Sequence, residues 1–210
     1  MADRRSVLIG MVLLLGPASA ESQSFRVGMK LGVSAAGQAR LIPINPRYEV
    51  MPRWEPVFGA TVGVALSDHF ELSAGAQYVG KGYWARAYRL AMAYLEFPIT
   101  ARYRLLSRGS VSPVLLAGLA SALKLSCHET FPSVDALRRI GFFRCFNNQS
   151  TSRWDHSALV GAGFELGTGR VRTTAEATFS RALNNLFTSG AGFRAFNQTA
   201  TFLAGFTYGW

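Results

Sequence analysis

The charges in this chain sit where they could act on one another. Glu71, Glu96, Glu165 and Glu176 alternate with small and apolar residues, as do Arg102, Arg104, Arg172 and, near the start, Arg26 and Lys30. Carboxylates and cations withdrawn from bulk water need partners. Such a set therefore supports mutual pairing, either as a plug of side chains or as a charge-gated passage. Catalysis has fewer candidates. His69, His128 and His156 share no metal-ligand spacing. His156 is followed at once by Ser157, and on a strand that adjacency turns base and nucleophile to opposite faces. No catalytic residue, metal or cofactor is expected. Cys127 and Cys145 remain, and in an exported chain they are expected to form a disulfide. Free thiols are rare in such a chain, and a zinc site with His128 lacks a convincing fourth ligand.

What must position these charges is a sheet. From 94 to 105, Leu95, Phe97, Ile99, Ala101, Tyr103 and Leu105 alternate with Glu96, Pro98, Thr100, Arg102 and Arg104, a strict period of two. A short break at 106–110 and a second run at 111–124 complete a hairpin. The alternation recurs at 25–33, 58–66, 70–78, 157–166, 171–180 and 197–210, which makes eight segments. Their connections alternate long and short: 34–57, 67–69, 79–93, 106–110, 125–155, 167–170 and 182–196. Tight turns at one end and loops at the other are the layout of an outer-membrane barrel. An even strand number lets the first segment pair with the eighth and leaves no unpaired edge in lipid. The expected fold is all-β: an eight-stranded antiparallel transmembrane β-barrel, closed and up-and-down.

Residues 1–20 carry Arg4 and Arg5, an apolar run at 7–15, Gly16-Pro17 and then Ala18-Ser19-Ala20. This reads as a cleaved secretory signal peptide, because the run falls short of the roughly 20 residues an anchor helix needs. The barrel domain then occupies 21–210. Hydrophobic residues make up 49% of the chain and charged residues only 16%, which excludes a disordered class. The net charge of +10 would suit nucleic acid, but a sealed membrane barrel offers it no access.

One face of each segment holds Gly, Ser, Thr and a few charges of both signs, which suits the crowded lumen of a narrow barrel. The lumen should therefore contain Arg26, Lys30, Glu71, Glu96, Arg102, Arg104, Glu165, Arg172 and Glu176. A turn on Thr168-Gly169 sets Glu165 opposite Arg172, Phe164 opposite Thr173 and Gly161 opposite Glu176. A three-residue turn at 67–69 sets Ala65 opposite Glu71 and brings Glu71 near Arg104. Val114, Leu116, Leu159 and Leu203 share the polar parity, which calls for a bulge or an apolar patch inside. Pro98 deletes a ladder donor from an internal strand, so a bulge or a water is expected beside it. Basic residues crowd the long connections: Arg40, Arg47 and Arg53; Lys81, Arg86 and Arg89; Arg138, Arg139, Arg144 and Arg153. They would meet lipid A phosphates outside the cell, or else serve solubility and rim pairing.

These motifs carry a resemblance. YLEFPITARYRL at 94–105, followed by a strand with Gly118 near its middle, resembles a signature of the PorT-like outer-membrane β-barrel domain family, small barrels of OmpA/OmpX type. FSRALNNLF at 179–187 resembles that family's later segment, with Phe179 in place of Tyr and Ala182 in place of Gly. The resemblance spans 25–210. It implies a bacterial outer-membrane barrel and assigns no activity. Phe202, Ala204, Phe206, Tyr208 and Trp210 alternate up to an aromatic last residue, similar to the terminal signal read by the barrel-assembly machinery. His156-Ser157 invites comparison with outer-membrane lipid A deacylases, whose Ser follows the His by two places rather than one. The function expected is a non-enzymatic envelope role, structural, adhesive or in assembly, with lipid and lipopolysaccharide as surroundings. The alternative is a small porin-like pore for polar solutes.

Overall fold

The computed structural model describes residues 24–40, 50–85, 88–106, 109–130, 151–167, 169–186 and 195–210. The expected signal peptide lies outside them, as do Arg47, Arg86, Arg138, Arg139, Arg144 and Cys145. Eight strands follow in order: β1 (Ser24–Arg40), β2 (Val50–Ala65), β3 (Phe70–Ala85), β4 (Tyr88–Arg104), β5 (Val111–Thr130), β6 (Trp154–Leu166), β7 (Val171–Ala182) and β8 (Ala195–Gly209). Each pairs antiparallel with its neighbours, and β1 pairs with β8 to close the barrel.

The period of two decides which side chains meet which solvent. Met29, Leu31, Phe58, Val62, Ile99, Leu119, Val160 and Phe206 are each more than half exposed on the outer surface. Water would penalise a continuous apolar coat of this size, whereas lipid favours it. On the other parity Glu71, Ser73, Arg102, Thr174, Glu176, Thr199 and Thr201 are buried inside.

The strands reach further than the alternation alone indicates. Residues 34–40, 50–57, 79–85, 88–93 and 125–130, expected in long connections, are strand. A tilted strand gains about 2.5 Å of height per residue, so 16 residues stand roughly 40 Å tall against an apolar band of about 25 Å. The upper part of the barrel therefore rises beyond the hydrocarbon. In this region the β2–β3 register shifts between Pro52 and Val57, and the β4–β5 register shifts at Ala93/Tyr94. In the second shift Lys124 faces Tyr94 and Ser126 faces Ala93, which leaves Leu125 as the extra residue. A bulge reverses parity beyond it. Cys127 consequently lies on β5 opposite the buried Met92 rather than in a loop, and it packs against the apolar cluster around Met92.

Two register expectations change. Ala65 does face Glu71. In the last short hairpin, however, Glu165 faces Thr174, Phe164 faces Ala175 and Gly163 faces Glu176, two residues away from the expected pairing. The connection is wider than a two-residue turn, with Gly167 at φ 115° and Gly169 at φ 91°, and the Gly167 N–H donates to the Ser110 carbonyl in the adjacent turn. A slip of two keeps every side chain on its face, so hydrophobic pattern could not distinguish the two registers. Around Pro98 no bulge forms. The β3–β4 ladder lapses between Ala74↔Ile99 and Gln77↔Glu96 and resumes in the same register, while Pro98 stays paired with Ala120 on the β5 side.

Candidate functional site

The interior is built in layers from the short-turn rim upward. At the bottom, Glu165 receives Arg104 Nε at 2.8 Å, Arg102 Nη2 at 3.0 Å and Arg172 Nη1 at 3.1 Å, with Arg26 Nη1 at 3.6 Å. Arg104 also binds Glu71, as expected, and Arg26 Nη1 donates to Glu71 Oε2 at 3.0 Å. Arg102 Nη1 donates to Glu176 Oε1 at 2.6 Å, and Lys30 Nζ donates to Glu176 Oε2 at 2.8 Å. Five cations from β1, β4 and β7 thus interlock with three carboxylates from β3, β6 and β7. Glycine makes the room: a Cβ on Gly63 would sit 2.8 Å from Glu71 Oε1. Of the nine lumen charges expected from sequence, eight meet here.

Glu96, the ninth, belongs to a second cluster that the sequence reading missed. Lys81 Nζ lies 2.9 Å from Glu96 Oε2 and 3.0 Å from Asp155 Oδ2, with the Tyr94 ring centroid at 5.2 Å. Gln77 donates to Glu96 at 2.8 Å and Asn197 to Asp155 at 2.9 Å. Lys81, expected in a basic outer loop, is only 2% exposed, because β3 continues past Gln77 on the same parity through Val79, Lys81 and Tyr83. Gly80 and Gly82 interrupt that run in the sequence and hide the signal.

Between the two clusters lies a cavity of about 50 Å³, lined by hydroxyls of Ser73, Thr100 and Thr178 and by Leu116, Leu159 and Leu203. Three of the four inward apolar residues thus form a patch at this level. Val114, 1% exposed, lies lower on the same inner face of β5. Around and above Lys81, Val57, Val79, Tyr83, Leu90, Met92 and Tyr94 form an apolar cluster, none more than 4% exposed. Two ionic clusters and an apolar cluster thus occupy much of the described interior.

The outer wall carries the other candidates. Ser157 is buried and His156 exposed, on opposite faces as adjacency requires. The hydroxyl beside His156 is that of Ser121 on β5, 3.0 Å from Nδ1, and Trp154 stacks on the imidazole at 6.3 Å. His69 sits in the short-turn rim with Nδ1 2.8 Å from the Arg104 carbonyl, and His128 is exposed on β5. Of the basic residues expected in loops, Arg40, Arg53 and Arg89 lie on strands. Arg53 pairs with Glu55, Arg89 covers the Trp84 ring at 4.0 Å, and Arg153 is exposed just before β6. Tyr103, Tyr208 and Trp210 ring the short-turn end, with Trp210 61% exposed. Trp54, Trp84 and Trp154 lie on the outside 11 to 14 residues higher, two aromatic girdles as a bilayer requires.

Comparison with known proteins agrees with this architecture. No curated protein matches the chain. Among solved structures, the outer membrane protein OprG from Pseudomonas aeruginosa is similar at 9% identity, with 90% of this chain and 96% of that chain covered and a TM-score of 0.52. Neisserial surface protein A is similar at 13% identity, with 89% and 99% covered and a TM-score of 0.51. At such identities the likeness is one of fold. A family model described as the outer membrane protein beta-barrel domain matches residues 19–188, and the chain accordingly belongs to that family of bacterial outer-membrane barrels.

Proposed function

We propose that this barrel is a closed, non-enzymatic envelope protein whose structural, adhesive or assembly role is exercised on its outside, within the PorT-like branch of small barrels. The observation that carries the reading is the filled interior: the Glu165 cluster near the short-turn rim, and above it the Lys81 cluster interleaved with the apolar side chains around Tyr83 and Tyr94. The arrangement of the wall supports the non-enzymatic part. Ser121 lies within the β4–β5–β6 ladder and the His156 N–H donates to Asn184 Oδ1 at 2.7 Å, so the backbone donors an oxyanion hole would need are already engaged. Planar-bilayer recording of the refolded full chain tests the closed lumen. No stable openings are expected, and steps that respond to Glu96→Gln or Arg102→Gln would favour the passive pore instead.

The exterior favours contact with lipopolysaccharide. Glu71, Glu96, Asp155, Glu165 and Glu176 are buried inside, Glu55 is engaged by Arg53, and Asp68 lies in the short-turn rim. Arg89, Arg153 and Arg181 are exposed and have no carboxylate partner among the described residues. Among the described side chains, the carboxylates thus lie inside, in the Arg53 pair or at the lower rim, while Arg89 and Arg181 are exposed on the upper strands.

A disulfide between Cys127 and Cys145 would tie the third outer connection to the barrel mouth, since the Leu125 bulge turns Cys127 inward against the apolar cluster. Closing a connection of this length contributes about 3 kcal/mol on the chain-entropy estimate, local to the loop. Alkylation without prior reduction should add no label to the intact mass. Two labels would refute the bridge.

A further inference from the structure

We propose that the lower lumen holds a single halide-sized anion, seated between Arg26, Lys30 and Arg102 with the hydroxyls of Thr61, Ser73 and Thr207 as further donors. The site lies inside the barrel and does not depend on the role assigned to the exterior.

Charge balance calls for a counter-ion at this level. Arg26, Lys30, Arg102, Arg104 and Arg172 face Glu71, Glu165 and Glu176, five cations against three carboxylates. Arg172, with 24% of its side chain accessible at the rim, is served by water. The other four side chains are between 3% and 13% accessible and still outnumber the carboxylates by one. Asp68, in the short turn, meets Arg104 through its backbone carbonyl at 3.4 Å rather than through its carboxylate. A buried cation without a partner is strongly unfavourable, so one monovalent anion completes the cluster.

The room for it is a cavity of about 10 Å³ bounded by Arg26, Lys30, Arg102 and Glu71 and by the three hydroxyls. That is the scale of a single water or halide, too small for an oxyanion such as phosphate. The neighbouring cavity of about 50 Å³ shares Lys30, Arg102, Thr61 and Ser73 but adds Glu96, Glu176 and three leucines. Cations therefore prevail in the smaller space and are balanced in the larger.

The lining has donors left over. Arg26 pairs through Nη1, with Glu71 at 3.0 Å and Glu165 at 3.6 Å, and Lys30 Nζ donates one proton to Glu176 at 2.8 Å. Thr61 and Thr207 make no side-chain hydrogen bond among the described residues. Ser73 shares its hydroxyl with Thr100 at 2.7 Å, a bond in which either can donate. Gly28 stands between the two threonines, where a Cβ would come within 3.1 Å of Thr61 Oγ1 and 2.7 Å of Thr207 Cγ2, so glycine keeps this wall open. Glu71, which also lines the cavity, is engaged by Arg26, Arg102 and Arg104. A water would satisfy the hydroxyls but bring no charge, whereas an anion does both.

Urea unfolding of the refolded full chain, with sodium gluconate replaced stepwise by sodium bromide at constant ionic strength, tests the site. The wild-type midpoint should rise by roughly 0.5 M or more and saturate, since an ion bound only by the folded barrel stabilises it. The bulk effect of exchanging a strongly hydrated anion for bromide has the opposite sign. Lys30→Met removes the surplus charge and should abolish the rise, while Glu71→Gln adds to the surplus and should enlarge it. Arg89→Gln, on the outer wall, should behave as the wild type. A flat or falling wild-type midpoint, or a rise undiminished in Lys30→Met, would overturn the proposal. Anomalous diffraction from wild-type crystals grown in bromide gives a reading that needs no variant to fold. A bromide peak among Arg26, Lys30 and Arg102 supports the site, and its absence overturns it.

Discussion

Replacing Glu165 by alanine should destabilise the barrel by about 3–5 kcal/mol, the loss that follows when one partner of a buried ion pair is removed and its counter-charges stay behind. Four guanidiniums depend on this carboxylate: Arg104, Arg102, Arg172 and Arg26. Glu71 and Glu176 cannot take over, because each already serves cations of its own. The lower cluster would be left with two carboxylates for five cations, of which Arg102 and Arg104 are almost fully buried. Arg172, with 24% of its side chain accessible at the rim, can rehydrate and soften the loss. Urea unfolding from lipid vesicles, followed by tryptophan fluorescence, measures the effect. Adding Arg104→Leu to Glu165→Ala should recover part of the stability, since it removes the charge that was stranded. A cost under about 1 kcal/mol would mean that the cluster behaves as a hydrated surface network instead.

Arginine at Ala162 should cost about 2–4 kcal/mol, because the side chain enters hydrocarbon near the middle of the bilayer. Ala162 lies on the exposed parity of β6, four residues above Leu166, between the outward-facing Leu115 and Ala177. That places it roughly 10 Å above the lower rim of a band about 25 Å tall. Arginine at Leu183, equally outward at 62% exposure but above the end of β7, should cost no more than about 1 kcal/mol. The gradient between the two positions is the informative quantity. The folded wild type should also run at a different gel mobility before and after boiling. Equal costs near zero at both positions would show that this surface does not face lipid.

The alternation of apolar and polar residues by itself determined the strand count, the closed barrel and, within the eight segments it marked, the contents of both faces. Inversion of the sheet would bury Phe58 and Val160 with the charges outside, and lipid cannot solvate that arrangement. Parity also sufficed to collect Arg26, Lys30, Glu71, Arg102, Arg104, Glu165, Arg172 and Glu176 in one lumen, because a narrow barrel leaves inward charges nowhere else to go. Three matters were decided only by the tertiary structure. The slip from Glu165↔Arg172 to Glu165↔Thr174 preserves every face, so its energy lies in the turn at Gly167 and Gly169 rather than in the pattern. The Lys81–Glu96–Asp155–Asn197 cluster joins β3, β4, β6 and β8 across the interior, partners that no local spacing relates. The inward turn of Cys127 depends on the extra residue at Leu125, which reverses parity at a point where the one-dimensional pattern cannot show whether the strand has bulged or ended.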